Sequence, residues 1–274
     1  MQRAVLIMFI AMSLIPAGDS AGKLLTTTGM AEPAFIAWSR FAIGALAVLP
    51  FIKRNTWGLL ADWRIWMRAA TLACGISLIQ MSLQTEPIAT VFAAFFVGPL
   101  VSYILAAIFL REAVTPLRSA LIVLGFVGVL IVVRPGLGAS TGLLWAVLAG
   151  FCYGAFLAQS RWLRDTGSPL ALIFSQLFIA ALLTAPFGLL NLPAFDARVV
   201  ILTTTSALCS MAGNLLLLYA NQLAPASRLA PLVYFQLVAA IGLGWTVFGE
   251  LPDAWTWTGL VVIIGAGLAS SRAR

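Results

Sequence analysis

The sequence predicts an all-α polytopic membrane protein, with ten transmembrane helices as two inverted five-helix repeats and both termini cytoplasmic. Three observations predict it. The 274 residues are 62% hydrophobic and 9% charged, with a mean hydropathy of +1.03. The chain repeats itself at an offset of 138 residues without a gap. Its lysines and arginines gather on one set of alternate connections.

Composition comes first because it excludes most classes. A soluble domain carries roughly a quarter charged residues, so this chain has too few to cover itself with a polar surface. The net charge of +7 is spread over short loops, which points to membrane orientation and away from nucleic acid.

The repeat is carried by polar, proline and glycine positions. Lys23 falls on Arg161, Gly75 on Gly213, Gln84 on Gln222, Pro87 on Pro225, Glu112 on Glu250 and Arg134 on Arg272. Thr115 falls on Asp253, which keeps a helix N-cap in type. The two copies are expected at residues 1–136 and 137–274. Each holds an odd number of spans, so they must sit upside down relative to each other. That plan is a signature of secondary transporters, whose substrate sites lie where the repeats meet.

A span needs about 20 apolar residues. The first is expected at 4–24; Ala17-Gly18-Asp19 resembles a signal-peptide cleavage site, but the segment has a counterpart at 142–160 and is read as a span. The next are 33–52, 65–84, 87–110 and 117–134, then 142–160, 169–190, 198–221, 225–249 and 255–271. Ser168-Pro169 and Thr115-Pro116 read as an N-cap followed by proline in the first turn, and Asp196 and Asp253 are further caps. Thr85-Glu86-Pro87 leaves almost no loop between the third and fourth spans, and Leu223-Ala224-Pro225 does the same in the second half. These two tight hairpins lie on opposite faces and are candidate gates.

With the N-terminus inside, the inner segments hold twelve lysines and arginines: Arg3, Lys53, Arg54, Arg64, Arg68, Arg111, Arg118, Arg161, Arg164, Arg228, Arg272 and Arg274. The outer side holds three (Lys23, Arg134 and Arg198), and Arg40 lies within a span. The bias fixes the orientation.

The chain lacks the usual tools of catalysis. It has no histidine, the commonest general base and metal ligand. Its three cysteines, Cys74, Cys152 and Cys209, lie in apolar segments with no disulfide or metal spacing. No glycine-rich phosphate loop is present, so ATP is not the drive. The nine acids are scattered mostly over loop ends, so an intramembrane enzyme finds no constellation here. No metal and no cofactor are expected.

Candidate site residues are polar or aromatic side chains within spans. Asp19 lies late in the first span, where a charge normally faces a cavity or a partner. Arg40 sits at similar depth in the second span, and Lys23 follows Asp19 by one turn. Asp19 therefore reads either as half of a helix-tying ion pair or as a site for a substrate amine or a proton. Glu112 and Glu250, just before Thr115 and Asp253, are expected to anchor the start of the next helix. Gln80 and Gln84 share a face of the third span. Gln159, Gln176, Asn214, Asn221, Gln222, Tyr234 and Gln236 supply amides and a phenol to the second half. Phe92, Phe96, Pro99 and Tyr103 recur at helical spacing in the fourth span, with Tyr234 at the register of Phe96. The predicted substrate-binding set is Asp19, Gln80, Gln84, Phe92, Phe96, Tyr103, Gln159, Asn214 and Tyr234. Pro16, Pro99 and Pro231 are expected to kink their spans. The pairs Gly18/Gly22, Gly125/Gly128 and Gly150/Gly154 are expected to let helices approach closely.

Two stretches carry a family resemblance. One reads Phe109-Leu110-Arg111-Glu112, then Thr115-Pro116, then Gly125-Phe126-Val127-Gly128. The other reads Val247-Phe248-Gly249-Glu250-Leu251, then Trp257-Thr258-Gly259, then Gly265-Ala266-Gly267. With the ten-span plan and the duplication, they resemble the EamA-type branch of the drug/metabolite transporter superfamily over essentially the whole chain. Arg111 departs from the glycine common before the first glutamate; Gly249 keeps it. The resemblance implies bacterial inner-membrane transport of small organic metabolites, and a central cavity lined by the third, fourth, eighth and ninth helices. Members include exporters of amino acids and drugs and importers of S-adenosylmethionine or riboflavin.

The expected function is secondary transport by alternating access. The cargo is a partly hydrophobic or aromatic metabolite, such as an amino acid, vitamin or nucleoside-like compound. Export is preferred, with import of the riboflavin or S-adenosylmethionine kind as the alternative. A membrane-embedded small-molecule sensor or scaffold without transport is the rival class. Expected partners are the substrate, the lipid bilayer and a proton or substrate gradient; a homodimer is allowed for, and nucleic acid is not expected.

Overall fold

The computed structural model describes residues 2–109, 116–134, 140–163, 165–223 and 230–272. Within them the chain is helical and contains no strand. The elements are α1 (Gln2–Thr27), α2 (Pro33–Val48), α3 (Trp63–Thr85), α4 (Ile88–Phe95), α5 (Gly98–Phe109), α6 (Pro116–Val133), α7 (Thr141–Trp162), α8 (Pro169–Leu190), α9 (Ala197–Leu223), α10 (Phe235–Phe248) and α11 (Ala254–Arg272). Short 3₁₀ turns cover Leu49–Phe51, Arg54–Ala61 and Ala230–Tyr234.

Among the described residues six helices are long and apolar enough to cross a membrane, counting α4 and α5 together. Ser119–Val133, Leu232–Phe248 and Ala254–Ala269 are shorter apolar helices. Large apolar side chains such as Leu6, Phe109, Phe187, Leu190, Trp245 and Val261 stand exposed on the outside of the bundle. A bilayer covers such a surface; water does not. The chain is a membrane protein. Trp63 and Trp162, and separately Trp255, sit exposed at helix ends, as interfacial tryptophans do.

The helix starts follow the sequence signals. Asp62, Ser140, Ser168, Asp196 and Asp253 each accept a backbone N–H of the first turn of α3, α7, α8, α9 and α11. The cap expected at Thr115 and the Glu112 side chain lie outside the described residues, as do Ala224 and Pro225 of the second tight turn. The first tight turn is as short as expected, since only Glu86 and Pro87 separate α3 from α4.

The prolines act differently from one another. Pro16 lies inside α1 and Pro186 inside α8. Pro99 falls in the first turn of α5, where the fourth span divides at Phe96 and Val97. It has no N–H to offer the Phe95 carbonyl. At the matching register of the second half, the 3₁₀ turn Ala230–Tyr234 gives way to α10 at Phe235.

Contacts between helices follow the 138-residue correspondence. α1 packs on α9 as α3 packs on α7, and α4 and α5 rest on α7 as α10 rests on α1. α2 meets α8, and α6 meets α11. Small residues set the approach: a Cβ at Gly75 would lie 3.5 Å from the Ala149 carbonyl, and one at Gly213 3.1 Å from that of Ala11. At the α6–α11 contact, a Cβ at Gly128 would lie 2.9 Å from the Gly259 carbonyl. This leaves α1–α5 and α7–α10 around the centre of the bundle.

Candidate functional site

A cavity of about 90 Å³ lies at that centre. By the same measure about 10–15 Å³ admits one water, so it has room for a group of several heavy atoms. Its wall draws on α1, α2, α3 and α4 and on α7, α8, α9 and α10. Most of it is apolar or aromatic, with Phe41, Phe92, Phe95, Tyr153 and Phe156 supplying rings.

The charge in the wall is one ion pair. Arg40 donates from Nη1 to Asp19 Oδ1, and both side chains are almost fully buried. Gln80 Nε2 donates to the same oxygen at 3.1 Å, and Arg40 Nη2 donates to Ser210 Oγ at 2.7 Å. The pair thus links α1 and α2 of the first half to α9 of the second. Behind it the backbone comes close: Ser206 Oγ donates to the Gly18 carbonyl at 2.7 Å. A Cβ at Gly22 would lie only 2.7 Å from Gln80 Oε1. Gln80 reaches Asp19 over a glycine.

Lys23 does not compete for Asp19. Its ammonium donates to Glu250 Oε1 at 2.7 Å and to the Glu86 carbonyl at 2.6 Å, and lies 5.0 Å from the centre of the Phe248 ring. Glu250 was expected to anchor the following helix. It instead accepts the Ile88 N–H at 3.1 Å and so caps α4, while Asp253 caps α11. Gly249 makes this reach available by turning into the left-handed region at φ 67°. The clasp fastens the ends of α1 and α10 to the α3–α4 turn. Beside it, Ser140 Oγ donates to Glu86 Oε1.

The predicted binding residues divide among several places. Asp19, Phe92 and Asn214 line the central cavity, and Gln80 supports Asp19 from behind. Phe96, Tyr103 and Tyr234 line a second cavity of about 300 Å³ between the α4–α5 break, α5, α6, α7, the Ala230–Tyr234 turn and α11. There Phe96 and Tyr234 rings lie 5.3 Å apart, and the Tyr103 hydroxyl is 3.2 Å from Ser119 Oγ. Gln84 lines a lateral groove with Glu32, Met81 and Asn191. Gln159 accepts from Thr71 Oγ1 at 3.0 Å and ties α7 to α3. The side chains of Asn221 and Gln222 lie outside those described. Tyr153 and Phe156 were not in the predicted set; Tyr153 is the 138-residue partner of Ile15, which lines the same cavity.

Outside the spans two acids are held below their usual range. The Arg64 side chain and backbone do this to Asp62. Thr256 first, then Arg134, bring Asp253 down to about 2. Among the described residues no three His, Cys, Asp or Glu side chains come together as metal ligands.

The model of the EamA-like transporter family matches residues 2–134 and again 140–271. The chain belongs to the EamA-like transporter family. Among its relatives in this family, a riboflavin transporter of Rhizobium johnstonii is 30% identical over 251 residues, covering 86% of this chain and 80% of the relative. An S-adenosylmethionine uptake transporter of Rickettsia bellii is 26% identical, covering 85% and 81%. The threonine/homoserine exporter RhtA of Escherichia coli is 27% identical over 68% of this chain and 62% of its own. A solved crystal structure shares the fold at a TM-score of 0.66 and 16% identity, over 98% of this chain and 96% of that one. EamA-like proteins are transporters and not enzymes, and transport is the class of function this chain has.

Proposed function

We propose that the chain is a secondary transporter that moves a small, partly apolar or aromatic organic metabolite across a bacterial inner membrane by alternating access. In this reading ten spans form two inverted repeats, residues 1–136 and 137–274, with both termini cytoplasmic. The observation that carries it is the central cavity, which α1–α4 and α7–α10 line together while α6 and α11 stay outside. A site shared in this way is exposed to one side or the other by rocking the halves.

Two further observations support the topology. Side-chain contacts join residues assigned to the same face: Lys23 with Glu250, Glu86 with Ser140 and Arg134 with Asp253 outside, and Arg68 with Ser160 inside. The helix of the first half divides at Phe96 and Val97, and at the matching register of the second half a 3₁₀ turn, Ala230–Tyr234, precedes α10; discontinuous helices of this kind lie near transporter sites. In this reading the Lys23–Glu250 clasp is a contact that closes the outer side. The drive is a proton gradient or the substrate's own gradient.

Relatives include uptake proteins and an exporter, so the experiment must read direction as well as substrate. Metabolites are compared in cells and medium with and without expression of the chain, with Asp19→Asn as a control. A compound enriched in the medium and depleted in cells assigns export; the reverse assigns uptake. No displaced compound, together with no flux into proteoliposomes of purified protein, rejects transport.

A further inference from the structure

The connection between α2 and α3, residues 49–62, carries more positive charge than the fold uses. With the first turns of α3 it holds Lys53, Arg54, Arg64 and Arg68 against the single acid Asp62. Asp62 is taken by Arg64, at 2.6 Å. Arg68 is buried and spends its guanidinium on Ser160 Oγ and the Leu172 carbonyl, neither of them charged. Lys53 and Arg54 are exposed, and among the described residues no ion pair reaches either. Around them Phe51, Trp57 and Trp63 leave much of their rings exposed. Unpaired cations beside exposed aromatic rings, where helices enter the headgroup region, are the pattern that anionic lipid recognises.

We infer that this connection is a docking surface for anionic phospholipid of the cytoplasmic leaflet. The lipid phosphate accepts from the Lys53 ammonium and the Arg54 guanidinium, and Phe51 and Trp63 lie along its glycerol and upper acyl chains. The leaflet follows from the topology proposed above; the binding itself depends neither on that topology nor on transport. The surface is held in place by the other half of the chain. The Trp57 ring meets those of Phe174 and Phe178 in α8 at 5.4 and 5.7 Å. A Cβ at Gly167, just before α8, would lie 3.0 Å from Leu59 Cδ1. The Trp63 ring lies 6.4 Å from that of Trp162 at the end of α7. Lipid bound here therefore grips the α2–α3 and α7–α8 ends of the bundle together, and it stabilises the folded protein by mass action. A zwitterionic phospholipid brings its own cation and gains little from Lys53 and Arg54. Free phosphate lacks the chains that the rings receive.

The test titrates purified full-length protein in detergent with dioleoyl phosphatidylglycerol or dioleoyl phosphatidylcholine, which differ only in headgroup. The midpoint of thermal unfolding is read at each concentration. Phosphatidylglycerol is expected to raise it at concentrations where phosphatidylcholine and inorganic phosphate do not, and about 0.5 M sodium chloride to suppress the rise. Each surface cation is worth about fivefold in affinity for an anionic lipid surface. The double variant Lys53→Gln/Arg54→Gln changes two exposed side chains and should melt like the wild type without lipid. It should need at least about tenfold more phosphatidylglycerol for the half-maximal rise. Arg198→Gln, an exposed change assigned to the opposite face, should leave the response unaltered. Equal rises with both lipids overturn the proposal. So does a phosphatidylglycerol response that the double variant keeps, or that Arg198→Gln loses to the same extent. Should the double variant melt early without lipid, the two lipids and the salt dependence of the wild type decide. Proteoliposome flux is a separate readout. A lipid response without flux of any metabolite sinks the transport reading and leaves this surface standing; flux without a lipid response does the reverse.

Discussion

Lys23 and Glu250 stand 227 residues apart in the chain and 2.7 Å apart in space. The contact unites three helix ends, because Glu250 also caps α4 through Ile88 and Lys23 also holds the Glu86 carbonyl. Lys23 is 3% exposed and Glu250 27%. Unpairing a fully buried ion costs about 3–5 kcal/mol, and the partial exposure of Glu250 puts Lys23→Met nearer the lower figure. Glu250→Gln is expected to cost more, towards the upper figure, because it leaves the buried Lys23 ammonium without its counter-charge, although the amide oxygen still accepts from Ile88. The double variant should lose less than the sum of the two, as coupled sites do. Thermal unfolding of the four purified proteins checks this. Additive losses would mean that the two side chains act separately.

A second prediction concerns the support of Asp19. A Cβ at Gly22 would lie 2.7 Å from Gln80 Oε1 and 3.1 Å from Ile36 Cγ2. Gly22→Ala is therefore expected to push Gln80 off the carboxylate and to cost about 1–3 kcal/mol, as overpacking does. Gln80→Ala should cost clearly less in the Gly22→Ala background than in the wild type. Equal costs in both backgrounds would show that Gly22 does not set the position of Gln80.

Much of this was legible in the sequence. Ser168-Pro169 marks the start of α8, and the span expected at 169–190 has the observed bounds. Asp19 and Arg40 are opposite charges at matching depth, which is enough to pair them. The partner of Lys23 was not legible, because periodicity tells which face a residue occupies and not which distant helix end meets it. Phe96 shows the same limit. Read as one helix, the fourth span puts Phe92 and Phe96 on one face; the break at Phe96 and Val97 sends Phe96 to Tyr234 and the second cavity. Tyr153 escaped because its span was read for the small residues Gly150 and Gly154, although its repeat partner Ile15 lies one turn before Asp19.

Asp253 gives a prediction about pH. Its carboxylate caps α11 through Thr256 and pairs with Arg134, which brings it from an ordinary value of 3.8 down to about 2. A lowered folded-state value contributes stability that is full above the unfolded value and fades as pH falls through the folded one. Asp253→Ala is expected to cost about 1 kcal/mol near neutrality, the usual worth of such a cap. The side chain is half exposed, so the ion pair itself adds little. The difference in melting temperature between wild type and variant should hold from pH 7 to about 5 and shrink towards pH 3. A difference that is constant over that range would show that the ionised carboxylate is not what stabilises α11.

The last prediction uses two glycines that the sequence alone treats alike. Both Gly154 and Gly265 lie within apolar helices. A Cβ at Gly154 would meet the Gly98 carbonyl at 2.5 Å and Val101 Cβ at 2.6 Å, where α7 runs against the start of α5. Backbone cannot yield as a side-chain tip can, so Gly154→Ala is expected to destabilise by about 1–3 kcal/mol. Among the described residues, a Cβ at Gly265 would meet nothing within 4 Å. There the alanine gains helix propensity, about 0.5–1 kcal/mol, with nothing to oppose it. The two variants should therefore move the melting temperature in opposite directions. A loss at Gly265 equal to that at Gly154 would place an unrecognised neighbour, such as a second copy of the chain, against the open face of α11.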